Sequence, residues 1–173
     1  MSGIDHEISV VALGPQDWRE LRAIRLEALR SEPAAYSSSY EETRAWSDDV
    51  WRRRLADDRR LQLLARVQGH PIGIVCGYLG SDEGDDSVAM VFGMFVTSEH
   101  RGRGVGRLLL TSLIDRLSAF PHISTIRLGV TETQDPARGL YESMGFQVVG
   151  KTEEGIVVDG RRYDELIMEL RVR

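Results

Sequence analysis

The chain has almost none of the residues that stabilise small secreted proteins, since its 173 residues include a single cysteine, Cys76. One cysteine excludes an internal disulfide, and its place in the apolar run from 72 to 79 predicts a buried, unreactive thiol. The four histidines, at positions 6, 70, 100 and 122, lack the spacing of metal ligands. We therefore expect neither a disulfide nor a metal site.

Long apolar runs and an excess of positive charge are also missing. No segment approaches the roughly 18 consecutive apolar residues of a membrane-spanning helix. Residues 1–6 contain neither the basic nor the apolar part of a signal peptide. The net charge of −5 argues against nucleic acid as the main partner. These absences predict a cytoplasmic protein without a membrane or nucleic-acid partner.

What the sequence does contain is a series of strand and helix patterns in the order β-α-α-β-β-β-α-β-α-β-β, with no internal repeat or linker. This pattern predicts one α/β (α+β) domain over residues 1–173, with a mixed central sheet of about seven strands flanked by about four helices. Residues 34–44 are small and polar and are predicted to form a loop, and Asp159-Gly160 is predicted to form a hairpin turn. The predicted strands are 8–13, 60–67, 71–79, 88–96, 124–130, 147–152 and 162–171, and the predicted helices are about 17–30, 46–56, 105–119 and 136–144.

A glycine turn at residues 101–107 joins the predicted strand at 88–96 to a helix. Its first six residues read Arg-Gly-Arg-Gly-Val-Gly, and apolar residues at helical spacing follow from 110 to 117. Unpaired N–H groups and the helix dipole favour an anion at such a helix start, and glycines let a ligand approach the backbone closely. We therefore predict a pyrophosphate site there. Three arginines add positive charge around it, namely Arg101, Arg103 and Arg107.

Two common nucleotide-binding motifs do not fit this turn. It lacks the G-x-x-x-x-G-K-[ST] pattern of a Walker loop. It also lacks the G-x-G-x-x-G spacing of a dinucleotide fingerprint, because its glycines stand at 102, 104 and 106. A nucleotide-binding Rossmann unit is therefore disfavoured. From the turn alone, a tight turn without any ligand remains open.

The sequence around the turn resembles the GNAT superfamily of N-acetyltransferases. Residues 94–109 resemble motif A, in which a strand is followed by [Arg/Gln]-x-x-Gly-x-[Gly/Ala] at the start of a helix. Residues 128–146 resemble motif B, which ends in Leu-Tyr-x-x-x-Gly-Phe and whose tyrosine is Tyr141. The two motifs stand in the family's order and spacing, and the resemblance covers about residues 60–152 well.

The resemblance implies a GNAT fold and an N-acetyltransferase that moves the acetyl group of acetyl-CoA to a primary amine by direct attack in a ternary complex. Tyr141 would be the general acid that protonates the leaving thiolate. The pantetheine arm would lie along the end of the strand, where the N–H of Phe95 or Val96 would meet the thioester oxygen. The cofactor-binding residues implied in this way are Met94, Phe95, Val96, Arg101, Gly102, Arg103, Gly104, Val105, Gly106, Arg107, Gln134 and Tyr141.

Two positions depart from the family's pattern. Motif B usually has an asparagine seven residues before the tyrosine, whereas this chain has Gln134, which offers the same amide on a longer arm. Some members carry a glutamate base at the position of Met90, but residues 88–96 contain no ionisable group here. The base is therefore predicted to be a more distant carboxylate acting through water, Glu132 or Glu42, unless the amine arrives neutral.

The acceptor amine is not identified by the sequence. By resemblance, residues 34–51 and the hairpin near Asp159 line the acceptor site, so that Tyr40, Glu42 and Trp46 are candidate substrate contacts. Packing of the second helix onto the sheet would explain the aromatic residues equally well. A small-molecule amine is favoured over a protein amine, and family habit suggests a homodimer. The alternative function is an acyl-CoA-binding sensor or interaction module without turnover.

Overall fold

The computed structural model describes residues 7–173, so the predicted absence of a signal peptide concerns residues outside this range. Within it, the chain forms seven strands and five α-helices. The strands are β1 (Ile8–Ala12), β2 (Arg60–Val67), β3 (His70–Leu79), β4 (Val88–Val96), β5 (Thr125–Thr131), β6 (Gln147–Val158) and β7 (Arg161–Arg171). The helices are α1 (Trp18–Ser31), α2 (Tyr40–Arg44), α3 (Asp48–Leu55), α4 (Val105–Ser118) and α5 (Asp135–Ser143).

The strands form one mixed sheet in the order β1-β2-β3-β4-β5-β7-β6. Its central pair, β4 and β5, is parallel, and the other neighbouring strands are antiparallel. The parallel pairing is short, because it runs only from Val88 to Val91 on β4. Directly after it, the register against β3 shifts by one residue at a bulge that contains Gly93, whose φ is 66°. Beyond this point β4 and β5 separate and leave a gap in the middle of the sheet.

Helices pack on both faces of the sheet. On one face, α4 buries leucines such as Leu113 and Leu117 over β3, where Gly77 allows close contact because a Cβ there would lie 2.8 Å from Leu113 Cδ1. On the other face, α1 and α3 pack through a second apolar cluster that includes Trp51 and Phe95. None of the helices within residues 7–173 is long and apolar enough to span a membrane.

The predicted fold class is confirmed, with two local differences. The predicted loop contains the short helix α2, which begins after Ser39, whose hydroxyl accepts the N–H of Glu42. Its five residues are too few to show helical periodicity in the sequence. Strand β6 continues beyond the predicted end at 152 to Val158, through a bulge between Thr152 and Ile156. The predicted hairpin turn at residues 159–160 is present, with positive φ at both positions.

Candidate active site

The gap between β4 and β5 opens into a cleft of about 790 Å³. Its walls come from both faces of the sheet, since Tyr141 belongs to the core around α4 and Tyr36 to the core around α1. Residues of β4, β5 and β7 also line it, among them Met94, Gly129 and Glu165. The separation of the two central strands thus gives a ligand access to the middle of the sheet.

The backbone of β4 beyond the bulge faces this gap. The Met94 carbonyl accepts a 2.8 Å hydrogen bond from the Tyr36 hydroxyl, and the Val96 carbonyl accepts a 2.9 Å bond from Arg101 Nε. Both carbonyls therefore point away from β3, and the N–H groups of the same two residues point the same way along an extended strand. Val96 and Phe95 both lie opposite residues of β3, Gly73 and Ile74, but the Thr97 N–H donates to the Ile72 carbonyl, so that by alternation Phe95 directs its N–H towards β3 and Val96 does not. This geometry favours Val96 over Phe95 as a donor to a ligand.

The N-terminus of α4 is open to an anion. Gly104 is its N-cap residue, with a left-handed φ of 80°, and no side chain caps the helix or places an acid in its first turn. A Cβ at Gly102 or Gly104 would meet no atom within 4 Å, so the space over the backbone is free. The unpaired N–H groups of the first turn can therefore reach a phosphate.

The three arginines of the glycine turn have different surroundings. Arg101 forms a 2.9 Å ion pair with Glu32 in addition to its bond to β4. Arg107 donates a 2.6 Å hydrogen bond from Nη2 to Ser143 Oγ, which connects α4 to α5. Arg103 is exposed and forms no ion pair within residues 7–173. Of the three, Arg103 is thus the most available to a bound anion.

Tyr141 lies on α5 with its ring packed 6.0 Å from that of Phe146. It is only 6% exposed, and it lines the cleft. Burial raises the pKa of Tyr141 to about 12, because the phenolate would lose its hydration. The phenol therefore keeps its proton at neutral pH and is able to donate it. Gln134, the residue before α5, lines the same cleft.

Among the carboxylates that line the cleft, Glu165 is distinct. Glu32 is paired with Arg101, while Glu83 and Glu169 both pair with Arg127. The Glu165 side chain is half-buried, and its carboxylate has no ion pair or hydrogen bond within the described part of the chain. Burial raises its pKa above the ordinary value of a glutamate. Asp82, the remaining carboxylate that lines the cleft, lies on an exposed loop.

Glycines make the room that Glu165 occupies. A Cβ at Gly129 of β5 would lie 2.6 Å from Glu165 Cδ, and one at Gly155 would lie 3.2 Å from Glu165 Cβ. The contact at Gly129 is closer than a Cβ tolerates and the one at Gly155 is tight, so the Glu165 side chain lies over bare backbone where it reaches the cleft. The sequence prediction missed Glu165, because the pairing of β5 with β7 joins segments far apart in the chain.

Several predicted site residues lie outside the cleft. Glu132 is exposed, and its carboxylate accepts a 3.1 Å hydrogen bond from the Asp164 N–H. Glu42 is exposed on α2, and the ring of Tyr40 lies 5.3 Å from the Arg30 guanidinium carbon. Trp46 lines a small side pocket beside the cleft, where its ring is 5.1 Å from that of the buried Trp51. The catalytic role of Glu132 stays a prediction.

Comparison with known proteins points to the same family as the sequence motifs. The model of the Acetyltransferase (GNAT) family matches residues 18–146. The L-amino acid N-acetyltransferase AaaT of Escherichia coli (strain K12) is 26% identical over 162 residues, which cover 93% of this chain and 98% of that protein. N-acetylaspartate synthetase of Xenopus tropicalis is 36% identical over 94 residues, which cover 54% of this chain. The match spans only 33% of that synthetase.

The fold is also that of a solved acetyltransferase structure. The yncA protein of Salmonella typhimurium, solved with its cofactor acetyl-CoA, superimposes with a TM-score of 0.80 at 21% identity. The superposition covers 96% of this chain and 95% of that one. Similarity at this level of identity concerns the fold.

Proposed function

The chain belongs to the acetyltransferase (GNAT) family, and we propose that it transfers the acetyl group of acetyl-CoA to a primary amine on a small molecule. The observation that carries the proposal is a buried, protonated tyrosine, Tyr141, in a cleft at the point where the central strands separate. The open N-terminus of α4 follows the end of the same strand β4. The relative AaaT, named for acetylation of L-amino acids, is consistent with a small-molecule acceptor.

Acetyl-CoA supplies an acetyl group activated as a thioester, and the chain offers groups to hold each part of it. The N–H groups at the start of α4 and Arg103 would bind the pyrophosphate. The exposed backbone of β4 at Met94 and Val96 would run beside the pantetheine arm. Each of the two carbonyls already accepts one hydrogen bond and can accept a second from an N–H of the arm. The Val96 N–H would stabilise the negative charge that develops on the thioester oxygen.

Proton movements would involve two cleft residues. As the amine nitrogen bonds to the acetyl carbon and the carbon–sulfur bond breaks, the sulfur takes a proton from the Tyr141 hydroxyl. The amine nitrogen releases a proton, for which the unpaired carboxylate of Glu165 is an acceptor. The raised pKa of Glu165 makes it a stronger base than an exposed glutamate. Exchange with solvent restores both residues.

The direct test is thiol release from acetyl-CoA with a panel of amines: polyamines, aminoglycosides, amino acids and peptides with free N-termini or lysines. We expect saturable, amine-dependent release with one small-molecule class. Release in the absence of any amine would serve as the blank. No release with any class, while calorimetry shows that acetyl-CoA binds, would instead support the non-catalytic binding module.

The placement of the pyrophosphate can be tested by charge reversal at Arg103. We expect Arg103→Glu to weaken acetyl-CoA binding by roughly tenfold or more, because a charge-assisted contact becomes a repulsion. Arg116→Glu makes the same change at the exposed far end of α4 and should leave the dissociation constant unchanged. Calorimetric titration of both variants measures the effect, and equal affinities would place the pyrophosphate elsewhere.

The role of Tyr141 can be tested by removing its hydroxyl alone. Tyr141→Phe keeps the buried ring and should lower kcat at least about tenfold, since general acid catalysis contributes roughly 10²–10⁴-fold. Acetyl-CoA affinity should change little. Tyr40→Phe removes a hydroxyl outside the cleft and should leave kcat unaltered, whereas a raised KM would support the predicted Tyr40 substrate contact. An unaltered kcat for Tyr141→Phe would remove this residue from the mechanism.

The base can be identified from the pH dependence of kcat/KM. Because the pKa of Glu165 is raised, the carboxylate form is lost as pH falls through that raised value, and activity should fall with it. Glu165→Gln should abolish this acidic limb and lower kcat/KM most at neutral pH. Glu132→Gln should keep the wild-type profile, and loss of the limb in Glu132→Gln alone would make Glu132 the base.

A further inference from the structure

Three arginines from separate elements converge beside the bulge of β4: Arg25 of α1, Arg54 of α3 and Arg60 of β2. Together they line a side pocket of about 30 Å³, which we call the arginine pocket. Arg25 and Arg54 line the main cleft as well, so that the two spaces are neighbours. Gly93 of the bulge borders both spaces, and a Cβ built there would lie at an ordinary contact distance of 3.6 Å from Arg25 Nη1.

No carboxylate within residues 7–173 forms an ion pair with these three arginines, and Arg60 donates only a 3.1 Å hydrogen bond to Cys76 Sγ. Their guanidinium carbons instead lie over aromatic rings. The distances to the ring centres are 4.6 Å from Arg25 to Tyr36, 4.7 Å from Arg54 to Trp46 and 5.2 Å from Arg60 to Phe92.

Buried donors without partners surround the same space. Arg25 Nη1, Arg60 Nε and Trp51 Nε1 are buried and have no hydrogen-bond acceptor. Most buried polar groups in folded proteins have a partner, so three orphan donors in one pocket indicate a missing acceptor. Burial and the charge of Arg60 lower the pKa of Arg54 to about 10, and burial lowers the pKa of Arg25. Both remain charged at neutral pH.

A carboxylate is the group that fits this pocket. It offers only acceptors, and its two oxygens match the donors of a guanidinium. The pocket volume of about 30 Å³ is larger than the roughly 10–15 Å³ that one water molecule needs on the same measure. A group of a few atoms can therefore fill it, whereas a bulky anion cannot.

The position of the arginine pocket favours contact with the acceptor rather than with the cofactor. Along β4, the bulge at Gly93 precedes the residues proposed to run beside pantetheine, and the glycine turn follows them. The cofactor phosphates and the arginine pocket thus lie towards opposite ends of this segment. Across the gap from the arginines, Glu165 presents an unpaired carboxylate on β7.

From these contacts we infer that the arginine pocket binds the carboxylate of the acceptor, which makes the acceptor a free amino acid. This inference rests on the proposed acetyl transfer and specifies its substrate class. Polyamines and aminoglycosides have no anionic group for the pocket. An amino acid in its zwitterionic form presents a carboxylate to the arginines and an ammonium group to Glu165, through which one ammonium proton leaves to solvent before the neutral amine attacks.

The first experiment compares each of the twenty common L-amino acids with its α-amide, which keeps the amine and the side chain but removes the negative charge. We expect kcat/KM of the wild-type protein to be at least about tenfold higher for the preferred amino acid than for its amide. The amide has the less basic amine, so a larger fraction of it is in the neutral, reactive form at pH 7. This difference works against the expected preference for the amino acid. Equal kcat/KM values would overturn the inference.

The second experiment tests the pocket itself with neighbouring arginines of α3. Arg54→Gln should raise KM for the amino acid about tenfold or more, through loss of a charge-assisted hydrogen bond, and leave KM for the amide unchanged. Arg53→Gln removes the same charge from the exposed side of α3 and should change neither value. Arg54→Lys keeps the positive charge but loses the planar fork of donors, and it should give an intermediate KM for the amino acid. This variant tests the pocket if Arg54→Gln fails to fold.

Equilibrium binding separates this inference from the proposed function. The dissociation constants of the amino acid and its amide for the CoA-bound protein are measured by calorimetry, without turnover. Selective amino acid binding that Arg54→Gln abolishes, without acetyl transfer, would sustain the carboxylate site and refute the enzyme. Acetyl transfer to amines with no preference for the carboxylate would sustain the enzyme and overturn the carboxylate site.

Discussion

The separation of β4 from β5 is the constraint on which the rest of the site depends. Two parallel strands that part after four paired residues leave backbone groups without sheet partners on both sides of the gap. An unsatisfied buried group costs about 1–3 kcal/mol, so the gap needs other partners. Tyr36 and Arg101 supply them for the carbonyls of Met94 and Val96. The N–H groups of these residues remain for a ligand.

The same separation divides the cleft into halves of opposite charge. The strands on one side of the gap connect to α1 and α3, which bring Arg25 and Arg54 to it. The strands on the other side bring Glu165, admitted by the bare backbone of Gly129. Neither charge is neutralised by a neighbour within residues 7–173, although the other cleft acids except exposed Asp82 are paired with arginines. The contrast suggests that the unpaired groups serve a ligand rather than stability.

Local patterns in the sequence were enough to predict the fold and to select the residues that we propose to bind the acetyl donor. The glycine turn, the apolar face of α4 and the motif around Tyr141 each lie within a short segment, and the structure places Tyr141 in the cleft. The acceptor side depends on contacts between distant segments. Arg25 and Arg54 have the spacing of ordinary charged residues on amphipathic helices, and only their convergence shows that no acid faces them. Glu165 required the register of β7 against β5.

The cleft holds two unfavourable arrangements of charge that one ligand can relieve together. Buried guanidinium groups without an anion repel one another, and a partly desolvated carboxylate without a cation is held nearer to its protonated form. A zwitterion that bridges the gap supplies both missing charges, whereas a simple amine supplies one and leaves the arginines uncompensated. Because both walls are assembled only in the folded protein, a ligand that pairs with both should raise the free energy of unfolding more than a simple amine does. In the inferred carboxylate site, the charges of the two walls would therefore select the substrate before any contact with its side chain is made.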